Sequence, residues 1–179
     1  MRAQPASLAS GPAERPFAYA WPLRLTPPFP CQLSHLLHSE QTTLEEIHMR
    51  ILIVEDEFLI AMDIEEAVRA LGYDVVGPVG SLQEAMELAG EADVALVDVR
   101  LKDGVTGPEV GNHLHFQYGV TVVFITGNPE AVRQNKAAIG VLQKPFRLAE
   151  IESVVKFAVG RRQGGNPAVP TRLELLEAA

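Results

Sequence analysis

Glu55 and Asp56 follow the apolar run Ile51-Leu52-Ile53-Val54, Asp98 follows Val94-Ala95-Leu96-Val97, and Lys144-Pro145 follows Val141-Leu142-Gln143. Short unbroken apolar runs of this kind read as strands covered on both faces, as in a parallel sheet. Parallel strands point the same way, so the residues that follow them gather along one edge, where open α/β sheets build their sites. Three carboxylates and one ammonium are poor packing material there. They suit a hard divalent cation and a phosphoryl group.

The sharpest chemical reading falls on Asp98. A carboxylate held at the rim of the core can attack a phosphoryl donor and become an aspartyl phosphate. Glu55 and Asp56 alone would repel the incoming group. With Mg²⁺ between them they form a clamp, because that ion takes one or two carboxylates together with water and phosphate oxygens. Lys144 supplies a point charge on the opposite side. Thr126, which ends the run Val122-Val123-Phe124-Ile125, adds a hydroxyl for a phosphoryl oxygen. Each residue alone has a structural explanation: Asp56 or Glu57 can cap the next helix, and Lys-Pro is an ordinary way to leave a strand. The joint arrangement, one piece after each of four strands, carries the functional reading.

The elements that position these residues alternate between strand and helix from about residue 50 to 160. Strands are expected over 51–54, 74–79, 93–97, 120–125 and 141–143. After the first, Ile60, Ile64, Val68 and Leu71 recur at helical spacing, and Gly72 ends the helix. Ser81-Leu82-Gln83-Glu84 and Thr106-Gly107-Pro108-Glu109 both read as capping boxes. Asn128-Pro129 reads as the start of a fourth helix, and Leu148, Ile151, Val155 and Val159 mark the apolar face of a fifth. Five βα units predict an α/β fold: a doubly wound, five-stranded parallel sheet with helices on both faces.

Outside this region the composition changes. Residues 1–48 hold seven of the 13 prolines and the single Trp, with no sustained period. They are expected to be a disordered extension. Two readings compete for it, a flexible arm serving a partner or upstream sequence joined to a chain that starts at Met49. The second is the expectation, since Met49-Arg50 leads directly into the first strand. Residues 161–179 read as a linker and a short tail with a turn or two of helix from Thr171, too short for an output domain. The net charge of −8 argues against nonspecific nucleic-acid binding. No apolar stretch is long enough to span a membrane, and a single cysteine, Cys31, points to the cytoplasm. His113 and His115, two apart on a helix, do not share a face and make poor metal partners.

The motifs Ile-Leu-Ile-Val-Glu55-Asp56-Glu, Val-Asp98, Phe-Ile-Thr126-Gly and Lys144-Pro145-Phe146 together resemble the receiver domain of bacterial two-component response regulators. The resemblance covers about residues 50 to 160 and implies the flavodoxin-like receiver fold. It implies that Asp98 takes a phosphoryl group from a histidine kinase or a phosphotransfer protein. It implies Mg²⁺ on Glu55, Asp56, Asp98 and the backbone carbonyl of Arg100, with Thr126 and Lys144 contacting the phosphate and a cis bond before Pro145. Arg100 and Asn128 would flank the phosphate and tune its hydrolysis. Such a module is no enzyme on a separate substrate; it catalyses only its own phosphorylation and dephosphorylation, and acts by binding a downstream protein that the sequence does not name.

The departures from the family pattern are specific. Val141 stands where many receivers carry an aromatic switch residue, Leu101-Lys102 replaces Met-Pro, and the following glycine comes one residue late, at Gly107. With Phe124-Ile125-Thr126-Gly127 they resemble an alphaproteobacterial subgroup that carries a Phe-Ala-Thr-Gly-type motif. Gly127 loosens the loop after the fourth strand, so backbone motion there is expected to stand in for a ring flip. Among competing functions, a flavodoxin would need a Ser/Thr/Gly-rich loop where Glu55-Asp56-Glu57 stands. A hydrolase with an aspartyl intermediate would want an acid at Arg100. A phosphorylation-independent adaptor on the same fold is the principal alternative.

Overall fold

The computed structural model describes residues 48–176, and the expectations placed on residues 1–47 lie outside them. Within that range run β1 (Arg50–Val54), α1 (Phe58–Ala70), β2 (Asp74–Val79), α2 (Leu82–Leu88), β3 (Val94–Val97), α3 (Gly107–Tyr118), β4 (Thr121–Thr126), β5 (Ala138–Gln143), α4 (Leu148–Arg162) and β6 (Leu173–Leu175). The sheet order is β2-β1-β3-β4-β5-β6. The first five strands are parallel, as the buried runs require, and β6 joins antiparallel at the β5 edge.

Alternation along the strands divides the core in two. Ile51, Ile53, Leu96, Val123, Ile125 and Leu142 face α1 and α4, whose Ile64, Val68, Ile151, Val155 and Phe157 cover them. Leu52, Val54, Val97, Phe124 and Val141 face the other way, under Ala85 of α2 and Val110 and Leu114 of α3. Both faces of the sheet are thus dry, and only the strand ends are left for polar chemistry. Among the described residues no helix is long and apolar enough to cross a membrane.

Four expectations need correction. The helix predicted after β4 is a single 3₁₀ turn, Pro129–Ala131. From Pro129 to Lys136 that segment buries one apolar residue, Val132, and the Asn135 side chain accepts the Ala137 N–H at 2.8 Å, an alternative to helical bonding. Strand five starts at Ala138 rather than at Val141. The tail expected to be helical from Thr171 forms β6 instead, because β5 presents an edge of unpaired backbone groups that an extended segment can satisfy. Thr106 does not cap α3: its backbone is helical, and its hydroxyl donates to Asp103 at 2.5 Å. At Ser81 the cap forms as expected, with Oγ accepting the Glu84 N–H at 3.3 Å. Glu84 reaches back to the Gly80 N–H at 2.9 Å.

Candidate functional site

The carboxyl ends of β1, β3, β4 and β5 open into one cleft of about 430 Å³, lined by Asp56, Glu57, Asp98, Arg100, Thr126 and Lys144 among others. Backbone bonds place its acids. The Asp98 N–H donates to the Val54 carbonyl and the Glu55 N–H to the Val79 carbonyl, each at 2.8 Å. These continue the ladder one residue past the strands and hold both carboxylates at the rim. The Lys144 N–H likewise donates to Thr126 at 2.9 Å, which ties the ends of β4 and β5 together.

At the centre lies Lys144. Its ammonium donates at 2.7 Å to Glu55 Oε2 and at 2.7 Å to Asp98 Oδ2, with Glu57 Oε1 at 3.6 Å. The other oxygen of Asp98 accepts the Val99 N–H at 2.6 Å and the Arg100 N–H at 3.4 Å. Asp98 is 6% exposed and Glu55 4%, so neither charge is well solvated. Burial, partly offset by the Lys144 ammonium, pushes the Glu55 carboxyl up to about 7. Burial lowers the Lys144 ammonium, but its bonds to Asp98 and Glu55 outweigh that and leave it raised.

The donor set fits a hard cation. Carboxylate oxygens of Glu55, Glu57 and Asp98 lie within 4.8 Å of one another, facing one ammonium, so the cluster carries an excess of negative charge that a divalent ion would offset. Asp56 is exposed and lines the same cleft outside that trio. Glu57 is the residue that sequence reading undervalued. It is the N-cap of α1 yet makes no capping bond, so its carboxylate is left to the cleft. The acidic run Glu55-Asp56-Glu57 was its only signal.

The remaining expected residues divide clearly. Thr126 is buried, and its hydroxyl accepts the Asn128 N–H at 3.2 Å, with its proton still available to a ligand. Arg100 and Gly127 line the cleft, exposed. Pro145 lies beside it, in a groove with Glu57, Ile60 and Phe146, and the Lys144–Pro145 bond is cis. Val141 is not in the cleft. It pairs with Phe124 and is 1% exposed in the core beneath α3. Gly107 has a role its spacing did not reveal. A Cβ there would lie 2.0 Å from the Asp98 carbonyl oxygen and 2.6 Å from Val99 Cα, so only glycine lets α3 start this close to Asp98. The turn in place of Met-Pro closes through reciprocal Leu101–Gly104 backbone bonds of 2.8 and 2.9 Å, with Gly104 at positive φ.

The response regulator receiver domain family matches residues 51–156. The chain is 37% identical over 114 residues to the phyllosphere-induced regulator PhyR of Methylorubrum extorquens, covering 61% of this chain and 43% of that protein. It is 33% identical over 117 residues to the transcriptional regulatory protein PdtaR of Mycobacterium tuberculosis, covering 63% and 57%. It therefore spans about half the length of these curated relatives. The receiver domain of Erythrobacter litoralis PhyR, solved in solution, superposes with a TM-score of 0.55 at 30% identity, over 68% of this chain and 96% of that one.

Proposed function

Because this chain belongs to the response regulator receiver domain family, we propose that Asp98 accepts a phosphoryl group from a histidine kinase or a histidine phosphotransfer protein, and that the phosphorylated form signals by binding another protein. The observation that carries the reading is the Asp98 carboxylate, buried at the end of β3 and held by the Lys144 ammonium, with the acids of the β1 loop alongside. Asp98 would attack the donor phosphorus in line. An O–P bond forms as the P–N bond of the donor phosphohistidine breaks, and the electron pair leaves on the imidazole, which takes up a proton.

Glu55, Asp98 and Asp56 or Glu57, with the Arg100 carbonyl, would hold Mg²⁺, which when bound neutralises charge on the phosphoryl oxygens. Lys144, already at Asp98 Oδ2, turns to a phosphoryl oxygen as it arrives, and the Thr126 hydroxyl donates to another. Both residues anchor the ends of β4 and β5, so their movement biases the surface those strands carry. Phe58 and Leu59, 72% and 75% exposed at the start of α1 beside the cleft, suit docking of a protein donor rather than a small molecule. We read the chain as a cytoplasmic signalling protein, not an enzyme on a separate substrate, with receiver residues 49–160.

A phosphorylation-independent adaptor on the same fold is favoured by one observation: position 141 carries a valine packed in the core against Phe124, so it offers no aromatic ring to report the phosphoryl group. The two readings separate on incubation of the full chain with acetyl phosphate, with and without Mg²⁺, followed by intact mass. A Mg²⁺-dependent gain of one phosphoryl group, lost in Asp98→Asn, supports acceptance. No gain in the wild type, with a partner still bound, supports the adaptor.

A further inference from the structure

The C-terminal segment does more than close a sheet edge. β6 pairs with β5 in the register Gly140↔Leu175, Val141↔Glu174 and Leu142↔Leu173, and the Leu176 N–H donates to the Ile139 carbonyl at 3.2 Å. The approach is close. A Cβ on Gly140 would lie 3.0 Å from the Glu174 carbonyl oxygen and 3.0 Å from the Leu173 side chain. Leu173 is buried in one half of the core and Leu176 in the other. Glu174 meets Arg133, from the β4–β5 connection, at 2.9 Å.

The residue just before β6 makes the contact of interest. Arg172 Nη2 donates to the Gln143 carbonyl at 3.3 Å and to the Pro145 carbonyl at 3.2 Å. These are the carbonyls on either side of Lys144. Its Nη1 lies 3.9 Å from Glu150 at the start of α4. A planar guanidinium can bridge two acceptors where an ammonium acts as a point charge. The long side chain of Lys144 magnifies any tilt of its backbone, and its ammonium must sit between two carboxylates at 2.7 Å each.

We propose that Arg172 is a positioning residue for Lys144: the C-terminal segment holds the backbone on both sides of the lysine and so sets where its ammonium lies in the cleft. Because coupling is reciprocal, whatever moves Lys144 also changes how firmly the segment is seated. The consequence for phosphoryl acceptance rests on the function proposed above. The placement of the ammonium does not.

The test uses the full chain with Arg172→Gln, Arg172→Lys and Arg133→Gln, the last weakening the segment's other anchor away from Lys144. Lys144 is footprinted with acetic anhydride against Lys102 as internal reference, and seating of the segment is followed by amide exchange at Leu176. Arg172→Gln should raise relative labelling of Lys144 about threefold and slow acceptance from acetyl phosphate by about threefold or more, with partial rescue in Arg172→Lys. Arg133→Gln should speed exchange at Leu176 and leave Lys144 labelling at the wild-type level. Equal labelling in Arg172→Gln and Arg133→Gln, or wild-type labelling in Arg172→Gln, overturns the proposal, since Arg172 would then only fasten the segment. If labelling responds as expected but the wild type takes no phosphoryl group, the positioning stands and the acceptance reading falls.

Discussion

Lys144 Nζ and Asp98 Oδ2 are 2.7 Å apart, so the cation that would steady a phosphoryl group is already bonded to the carboxylate that would receive it. The same ammonium also pairs with Glu55 at 2.7 Å, so one positive charge serves two buried acids.

Lys144→Met should therefore destabilise the protein. Removing one partner leaves Glu55 and Asp98 buried together without compensation, at a cost of about 3 kcal/mol. Urea unfolding in EDTA measures it, and added Mg²⁺ should recover part of the loss. A variant as stable as the wild type in EDTA would contradict the central role of the lysine.

Burial pushes the Glu55 carboxyl up to about 7, and in the proposed reading it is the carboxylate form that would hold the cation, so protons should compete with Mg²⁺. From pH 8 down to pH 6 the deprotonated fraction falls about tenfold, and the affinity should fall with it. Calorimetry in buffers of different ionisation enthalpy would show proton release on binding near pH 7. A flat affinity over this range would remove Glu55 from the ligand set.

Without the cation, the same group shapes stability in the opposite sense. Its folded value is raised from the ordinary 4.5 to about 7, so the folded chain binds the extra proton between those values. The contribution is fully present below about 4.5 and is lost as pH rises through about 7, up to about 3 kcal/mol. Thermal midpoints in EDTA should fall between pH 5 and 8, and Glu55→Gln should flatten that slope.

Gly107→Ala places a methyl 2.0 Å from the Asp98 carbonyl oxygen, against backbone that cannot swing aside. A loss of about 3 kcal/mol is expected, together with slower phosphorylation as Asp98 is displaced. Stability within about 0.5 kcal/mol of wild type would show that α3 can shift freely.

Val141→Tyr tests whether a ring can be returned to the position three before the lysine. The site is buried opposite Phe124, whose ring already fills the space at Gly111, where a Cβ would meet it at 2.7 Å. Overpacking by about 2 kcal/mol is expected, read by denaturant midpoint, with no gain in phosphorylation-dependent binding.

Much of the site was legible in the chain alone, for a topological reason. Four apolar runs in a parallel sheet must end on the same edge, so the residues after Val54, Val97, Ile125 and Gln143 had to meet. Their chemistry followed from their types. Helix faces such as Ile64 with Val68 and Ile151 with Val155 were equally plain, because helical spacing is a local property.

Tertiary structure decided what depends on partners distant in sequence. Whether Glu57 caps α1 or faces the cleft, and whether Thr106 caps α3 or bonds Asp103, are choices between competing hydrogen-bond partners with no local signature. After β4 a 3₁₀ turn, Pro129–Ala131, stands in place of a helix, in a stretch that from Pro129 to Lys136 buries only Val132. The tail became β6, and Arg172 reached the carbonyls of Gln143 and Pro145, because the open edge of β5 offered backbone groups to a segment about thirty residues further along the chain. Periodicity reports which side of an element is buried. Backbone pairing at an edge strand follows from which segment arrives there, and that is a property of the folded chain.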